Sequence, residues 1–169
     1  MSTNQPRKPA GTPTGGQWAP AAHDEADIDL APTMTERNGT KEWRLNGILH
    51  REDGPAIEWP HGTGEWYQHG ERHRADGPAI EWASGGVEWY VNGRRHREDG
   101  PAVERPGGTR EWYVDSERHR DDGPAIERAD GEKLWYRRGV LHRDDGPAIE
   151  RPDGTGLWYR HGKPVPPGA

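Results

Sequence analysis

At 169 residues the chain has the length of one domain, yet only 29% of its residues are hydrophobic and the mean hydropathy is -1.23, which excludes a conventional two-layer core. It contains no cysteine, so disulfides and thiol chemistry are excluded and any metal would fall to His and carboxylates. The net charge of -6 is uneven: residues 1–39 carry 3 basic and 5 acidic groups, 40–85 carry 5 and 8, and 86–169 carry 15 and 16, which disfavours nucleic-acid backbone binding for want of a basic surplus.

Residues 1–38 read as a flexible tail rich in Pro, Ala, Gly and Thr, because Pro6, Pro9, Pro13 and Pro20 oppose regular structure. The first thirty hold no apolar run long enough for a signal peptide or a membrane helix, so the expectation is a cytoplasmic protein without membrane insertion. The acidic stretch 23–30, HDEADIDL, reads first as a solvated linker and otherwise as one helical turn or an added edge strand.

Six tryptophans, Trp43, Trp66, Trp89, Trp112, Trp135 and Trp158, then recur every 23 residues, each beginning another copy of one short sequence. A unit that short cannot bury its own apolar face, so neighbouring copies must stack. Residues 39–162 therefore read as five full and one partial β-repeats, followed by a Pro-rich tail at 163–169. In the third copy, Glu88-Trp89-Tyr90-Val91 and Pro101-Ala102-Val103-Glu104-Arg105 are strand candidates between Gly-containing turns. Asn-Gly at 46–47 and 92–93 predicts tight hairpins because both residues accept positive φ, and Asp-Gly at 130–131 and 153–154 predicts the same between units. The result is an all-β fold: an elongated, curved, single-layer antiparallel sheet. A parallel solenoid would stack identical charges about 5 Å apart, which favours hairpins.

Period-two alternation sorts the faces. It places the tryptophans with an Ile/Val ladder of Ile57, Ile80, Val103, Ile126 and Ile149 on one face. The other face receives Tyr67, Tyr90, Tyr113, Tyr136 and Tyr159 with a ladder of glutamates.

With the period and strings such as EWYVNGRRHREDGPAVERPGG at 88–108 and LWYRRGVLHRDDGPAIERPDG at 134–154, residues 40–162 resemble a divergent form of the MORN-repeat family found in bacterial, phage and large-virus proteins. The resemblance implies the elongated curved sheet and, from some bacterial members, an antitoxin-like role. The usual family pattern starts its second strand with Gly-x-Gly, where this chain has Asp-Gly-Pro-Ala at 53–56, 76–79, 99–102, 122–125 and 145–148, so lipid-binding and dimer-forming roles are not carried over. The N-terminal string GTPTGGQWAP also resembles leaders of small bacterial and phage proteins, which implies no activity.

The repeated His50, His73, His96, His119 and His142, each with an Asp three residues on, invite a metal or acid-base reading. Equivalent positions two strands apart lie about 9 to 10 Å from one another, too far to share a zinc ion bound at about 2 Å. Asp53, Asp76, Asp99, Asp122 and Asp145 are instead expected to accept local backbone N–H groups, with His and Arg tying adjacent units. No metal, cofactor or catalytic residue is expected, since identical copies do not converge different groups on one point.

Residues that break the repeat are the candidate partner site. Trp59 and Trp82 end the second strands of the first two units, where Arg105, Arg128 and Arg151 stand later, and alternation suggests that they join Trp66 and Trp89 in an aromatic patch. Trp43, Trp112, Trp135 and Trp158 are assigned to structure. The expectation is a non-enzymatic scaffold binding a macromolecule, a protein first, as an inhibitor or antitoxin-like neutraliser. A glycan-binding module using the tryptophan ladder and a small hydrolase with a His-Asp site are the alternatives, and self-association is left open.

Overall fold

A computed structural model describes residues 31–168. Among them there is no helix, and hence none long and apolar enough to cross a membrane. The 23–30 stretch and the leader string lie outside the described residues. One 13-stranded antiparallel sheet runs the length of the described chain, joined by five two-stranded hairpins.

Each repeat feeds two strands into the long sheet, and the third shows how. Val87–Glu88 pairs backward with Ile80–Glu81 and forward with Val103–Glu104, which in turn pairs with Arg110–Glu111 of the fourth repeat. Strand order therefore follows chain order. Trp89 joins the two layers of pairing: its N–H donates to the Ala102 carbonyl at 2.8 Å, and its own carbonyl accepts from His96 N–H at 3.2 Å. Beyond it, Tyr90–Val91 and Arg94–Arg95 form a lateral hairpin.

The hairpin tip is Asn92-Gly93 with φ of 48° and 74°, as Asn46-Gly47 is with 51° and 79°. Two positive φ angles match the right-handed twist of the flanking strands, which is why a two-residue turn is tolerated. Neighbouring hairpins are tied at the same spot, since Gly93 N–H donates to the Arg72 carbonyl at 3.0 Å and Gly139 N–H to that of Arg118 at 2.9 Å.

The turns between repeats differ from the two-residue expectation. At 105–109, Arg105 N–H donates to Thr109 O and Gly108 N–H returns to Arg105 O, both at 2.9 Å, giving a three-residue loop. At Asp130-Gly131 and Asp153-Gly154 only the glycine has positive φ, 91° and 83°. This longer loop needs one left-handed residue, and Asp130 and Asp153 instead accept the N–H two residues on, at 3.0 and 2.8 Å.

Both tail boundaries move outward. Thr33–Arg37, assigned to the tail, pairs with Thr40–Leu45 across an Asn38-Gly39 turn, and Lys163–Pro164 pairs with Tyr159–Arg160. Neither segment carries a repeat signature, so periodicity missed them, although Asn38-Gly39 is itself a hairpin signal.

Register also overturns the predicted faces. Val103 lies directly opposite Glu88 and Glu111, and opposed residues in antiparallel strands share a face. The Ile/Val ladder therefore lies with the glutamates and tyrosines, while Trp89 lies with Ala102 on the other side. A period of two makes any one-residue offset between strands exchange the faces, and single-strand alternation cannot supply that offset. The most completely buried residues are correspondingly small: Ala56, Ala79, Ala102, Ala125 and Ala148 are all 0% exposed. Ala102, Val103 and Tyr113 form one such cluster, with Trp89 packed against it.

A zero-exposure alanine between close strands leaves no room for growth. Ala102→Val should lower stability by about 1 to 3 kcal/mol, read as a fall in the denaturant midpoint. Equal substitution at exposed Ala129 should leave it unchanged.

Candidate functional site

The tryptophan face is built on a five-fold repeated sandwich. The Arg97 guanidinium carbon lies 3.9 Å from the Trp89 ring centroid, and the corresponding distances are 3.9, 4.3, 4.1 and 4.0 Å for Arg51 on Trp43, Arg74 on Trp66, Arg120 on Trp112 and Arg143 on Trp135. Arg97 also donates to Asp99 at 2.9 Å, to the Pro101 carbonyl at 3.2 Å and to Glu104 at 3.3 Å. A Cβ on Gly100 would sit 3.0 Å from the Arg97 guanidinium carbon, so the glycine of each Asp-Gly-Pro is there for space rather than for a special φ.

Asp53, Asp76, Asp99, Asp122 and Asp145 thus anchor guanidinium groups, a correction to the expectation that they chiefly accept backbone N–H groups. The hydrogen bond and then the charge of the neighbouring arginine hold the carboxyls of Asp53, Asp99 and Asp122 below their ordinary range. Asp145 is lowered too, by the Arg143 hydrogen bond first. Because the arginine covers one side of each ring in Trp43, Trp66, Trp89, Trp112 and Trp135, the ladder does not offer that side to sugars. Trp158 is half-buried.

The histidines are inter-repeat staples. Nδ1 of His50, His73, His96, His119 and His142 accepts the N–H of the turn residue in the next repeat, respectively His69, Asn92, Asp115, Arg138 and His161, at 3.2 to 3.3 Å. His96 and Asp99 are not paired, since Asp99 is held by Arg97; the histidines meet other carboxylates instead, His96 Nδ1 meeting Asp115 at 3.4 Å, His119 Nε2 meeting Asp121 at 3.3 Å and His142 Nε2 meeting Asp144 at 3.2 Å. Among the described residues no three His, Asp or Glu side chains gather as a metal site.

The opposite face carries buried ion pairs. Glu65, Glu88 and Glu111 are only 6%, 6% and 7% exposed. Glu88 accepts from Tyr90 Oη and Arg95 Nε, each at 3.0 Å, and Glu111 from Tyr113 at 2.8 Å and Arg118 at 3.2 and 3.3 Å. Each arginine lies between tyrosines of adjacent repeats, with Arg95 5.5 Å from Tyr90 and 5.7 Å from Tyr113. Burial opposes ionisation of Glu111, but hydrogen bonds from Tyr113 and Arg118 and the Arg118 charge outweigh it and hold the carboxyl below its usual range. Burial, with the Glu88 charge second, pushes the Tyr90 hydroxyl up. In the fifth repeat Leu134 stands for the glutamate and Leu141 for the arginine, so the two charges are lost together.

The four-tryptophan patch is not formed. Trp66 and Trp89 lie beneath Arg74 and Arg97 on one face, whereas Trp59 lies on the other and donates from Nε1 to Glu65 at 2.9 Å. What the structure does bring together is a row. Trp59, Trp82, Arg105, Arg128 and Arg151 each occupy the first position of successive inter-repeat turns, marked by the same carbonyl accepting from Gly62, Gly85, Gly108, Gly131 and Gly154. Trp59 and Trp82 are 38% and 41% exposed, and the three arginines are about half exposed. Arg105 reaches Glu111 at 3.3 Å, taking the place of Trp59 toward Glu65. Arg128 and Arg151 approach Glu132 at 3.2 and 4.0 Å.

Sequence reading missed a cleft of about 180 Å³ beside the row, lined by Trp82, Ser84, Gly86, Val103, Arg105 and Pro106 together with the carboxylates Glu88 and Glu104. Its signal was Gly86, standing where the flanking repeats have Thr63 and Thr109. Those threonines accept the N–H of Ala83 and Ala129 in the following turn, whereas the residue facing Gly86 is Pro106, which has no N–H to give. No protein-family model matches this chain, and no curated protein matches it.

Arg95→Leu leaves Glu88 buried without its cation and should cost about 3 to 5 kcal/mol by denaturant titration. Adding Glu88→Leu should recover most of that loss, since Leu134 and Leu141 already make this exchange in the fifth repeat. Lowered carboxyl pKa values contribute stability that is complete above the ordinary carboxylate range of about 4 and is lost as pH falls through the folded-state values. The thermal midpoint should therefore fall on acidification below about pH 4, and a midpoint that rises there would contradict the arginine-anchored aspartates.

Proposed function

We propose that the protein is a non-enzymatic repeat scaffold that binds another protein through the row Trp59, Trp82, Arg105, Arg128 and Arg151. The observation that carries this reading is the contrast between that row and the rest of the repeat. The ladder tryptophans are capped by arginines and the glutamates are buried, whereas the row keeps Trp59 and Trp82 at 38% and 41% exposure and its arginines about half exposed, even where Trp59, Arg105 and Arg128 also reach Glu65, Glu111 and Glu132. Exposed Trp and Arg are also the side chains most often found at the energetic centres of protein interfaces.

The resemblance to divergent MORN repeats supports a neutralising role, as an inhibitor or antitoxin-like partner of another bacterial or phage protein. The cysteine-free composition supports a cytoplasmic setting.

The immobilised protein should retain a specific partner from bacterial lysate, and the Trp59→Ala, Trp82→Ala variant should lose it while keeping its thermal midpoint within a few degrees. The same proteins retained by both forms would remove the row as the contact site. No retained protein at all would count against the scaffold reading.

A further inference from the structure

The chemistry and pitch of the row define the shape of what it can hold. Successive inter-repeat turns are two strands apart, and neighbouring strands lie about 4.8 Å apart, so equivalent side chains recur about every 9.5 Å. A β-extended ligand presents same-side residues about every 6.7 Å and falls out of step within one repeat. A polyproline II chain rises about 3.1 Å per residue with three residues per turn, so every third side chain points the same way at about 9.3 Å. That pitch is within about 0.2 Å of the spacing expected for the row.

The side chains specify what should stand at those third positions. The N-terminal end of the row is exposed indole, at Trp59 and Trp82, and such rings are the surface on which an apolar or prolyl side chain stacks. The C-terminal end is guanidinium, at Arg105, Arg128 and Arg151, which pairs with carboxylates in a forked geometry. Their intrachain partners do not close them. Arg128 meets the largely covered Glu132 at 3.2 Å while its own side chain stays half exposed, and a guanidinium with five N–H donors keeps others free for a second carboxylate.

We propose that the row binds an extended, proline-rich acidic segment of a partner protein in the polyproline II conformation, with two apolar residues followed by three carboxylates at every third position. This rests on the scaffold reading and narrows it to one ligand class.

The test uses fluorescein-labelled proline-rich peptides carrying two leucines and then three glutamates, made in both chain directions, with fluorescence anisotropy of the full-length protein as readout. One peptide places these residues at every third position and its isomer of equal composition at every fourth. The triplet peptide should bind at least about tenfold more tightly than the isomer. Trp82→Ala and Arg128→Glu should each weaken it by about tenfold, while Arg137→Glu on the opposite face should leave it unchanged. Equal affinity for the two spacings, insensitivity to Arg128→Glu, or displacement by single-stranded oligothymidine at equal concentration would overturn the inference. If neither peptide binds while capture of a lysate protein still depends on Trp59 and Trp82, this inference falls and the scaffold reading stands.

Discussion

The guanidinium of Arg97, held between the Trp89 ring and the Cα of Gly100, is the contact on which the rest of the repeat depends. It covers the largest ring of the unit, and its donors reach Asp99, the Pro101 carbonyl and Glu104 at once. A single-layer sheet has no second layer to cover such a ring. The Asp-Gly-Pro loop supplies that cover by carrying a flat, delocalised cation whose stem and face are weakly hydrated. Lysine would offer neither the plane nor the fork, which is why a composition with 19 Arg among 23 basic residues suits this fold.

The other face solves a different problem. Glutamates at 6% to 7% exposure would each be costly alone, yet every one accepts from a tyrosine hydroxyl and an arginine. The variation among copies shows the same constraint. Where Leu49 takes the arginine position in the first repeat, Arg44 takes the tyrosine position and donates to Glu42 at 2.9 and 3.0 Å. Charge is kept or removed as a pair, because a lone buried carboxylate has no solvent to hold it. The repeats thus tolerate different residues while preserving one electrostatic rule, and this frees the turn positions to vary for binding.

Much of the architecture could be read from residue order. The period gave the number of units, Asn92-Gly93 and Asn46-Gly47 marked the hairpins, and the absence of long apolar runs pointed to thin construction. The candidate site was legible in part: Trp59, Trp82, Arg105, Arg128 and Arg151 were recognisable as the positions that interrupt the pattern. Their grouping with Trp66 and Trp89 was not, because it depended on register. Nor could residue order show that Asp99 serves Arg97, or that His96 accepts from Asp115 in the following repeat, since both are choices among several donors and acceptors within reach.

The sequence by itself therefore determined the repeating unit, its strands and its turn positions, because period, alternation and positive-φ residues are local properties. Tertiary structure alone decided which ladder faces which. Pairing Val103 with Glu88 and Glu111 sets the glutamates beside the Ile/Val ladder, turns the tryptophans toward the loops, and leaves Trp59 and Trp82 in line with three arginines. A strand repeats every two residues, so its own sequence is equally consistent with either partner offset, and only the hydrogen bonds of neighbouring strands select between them.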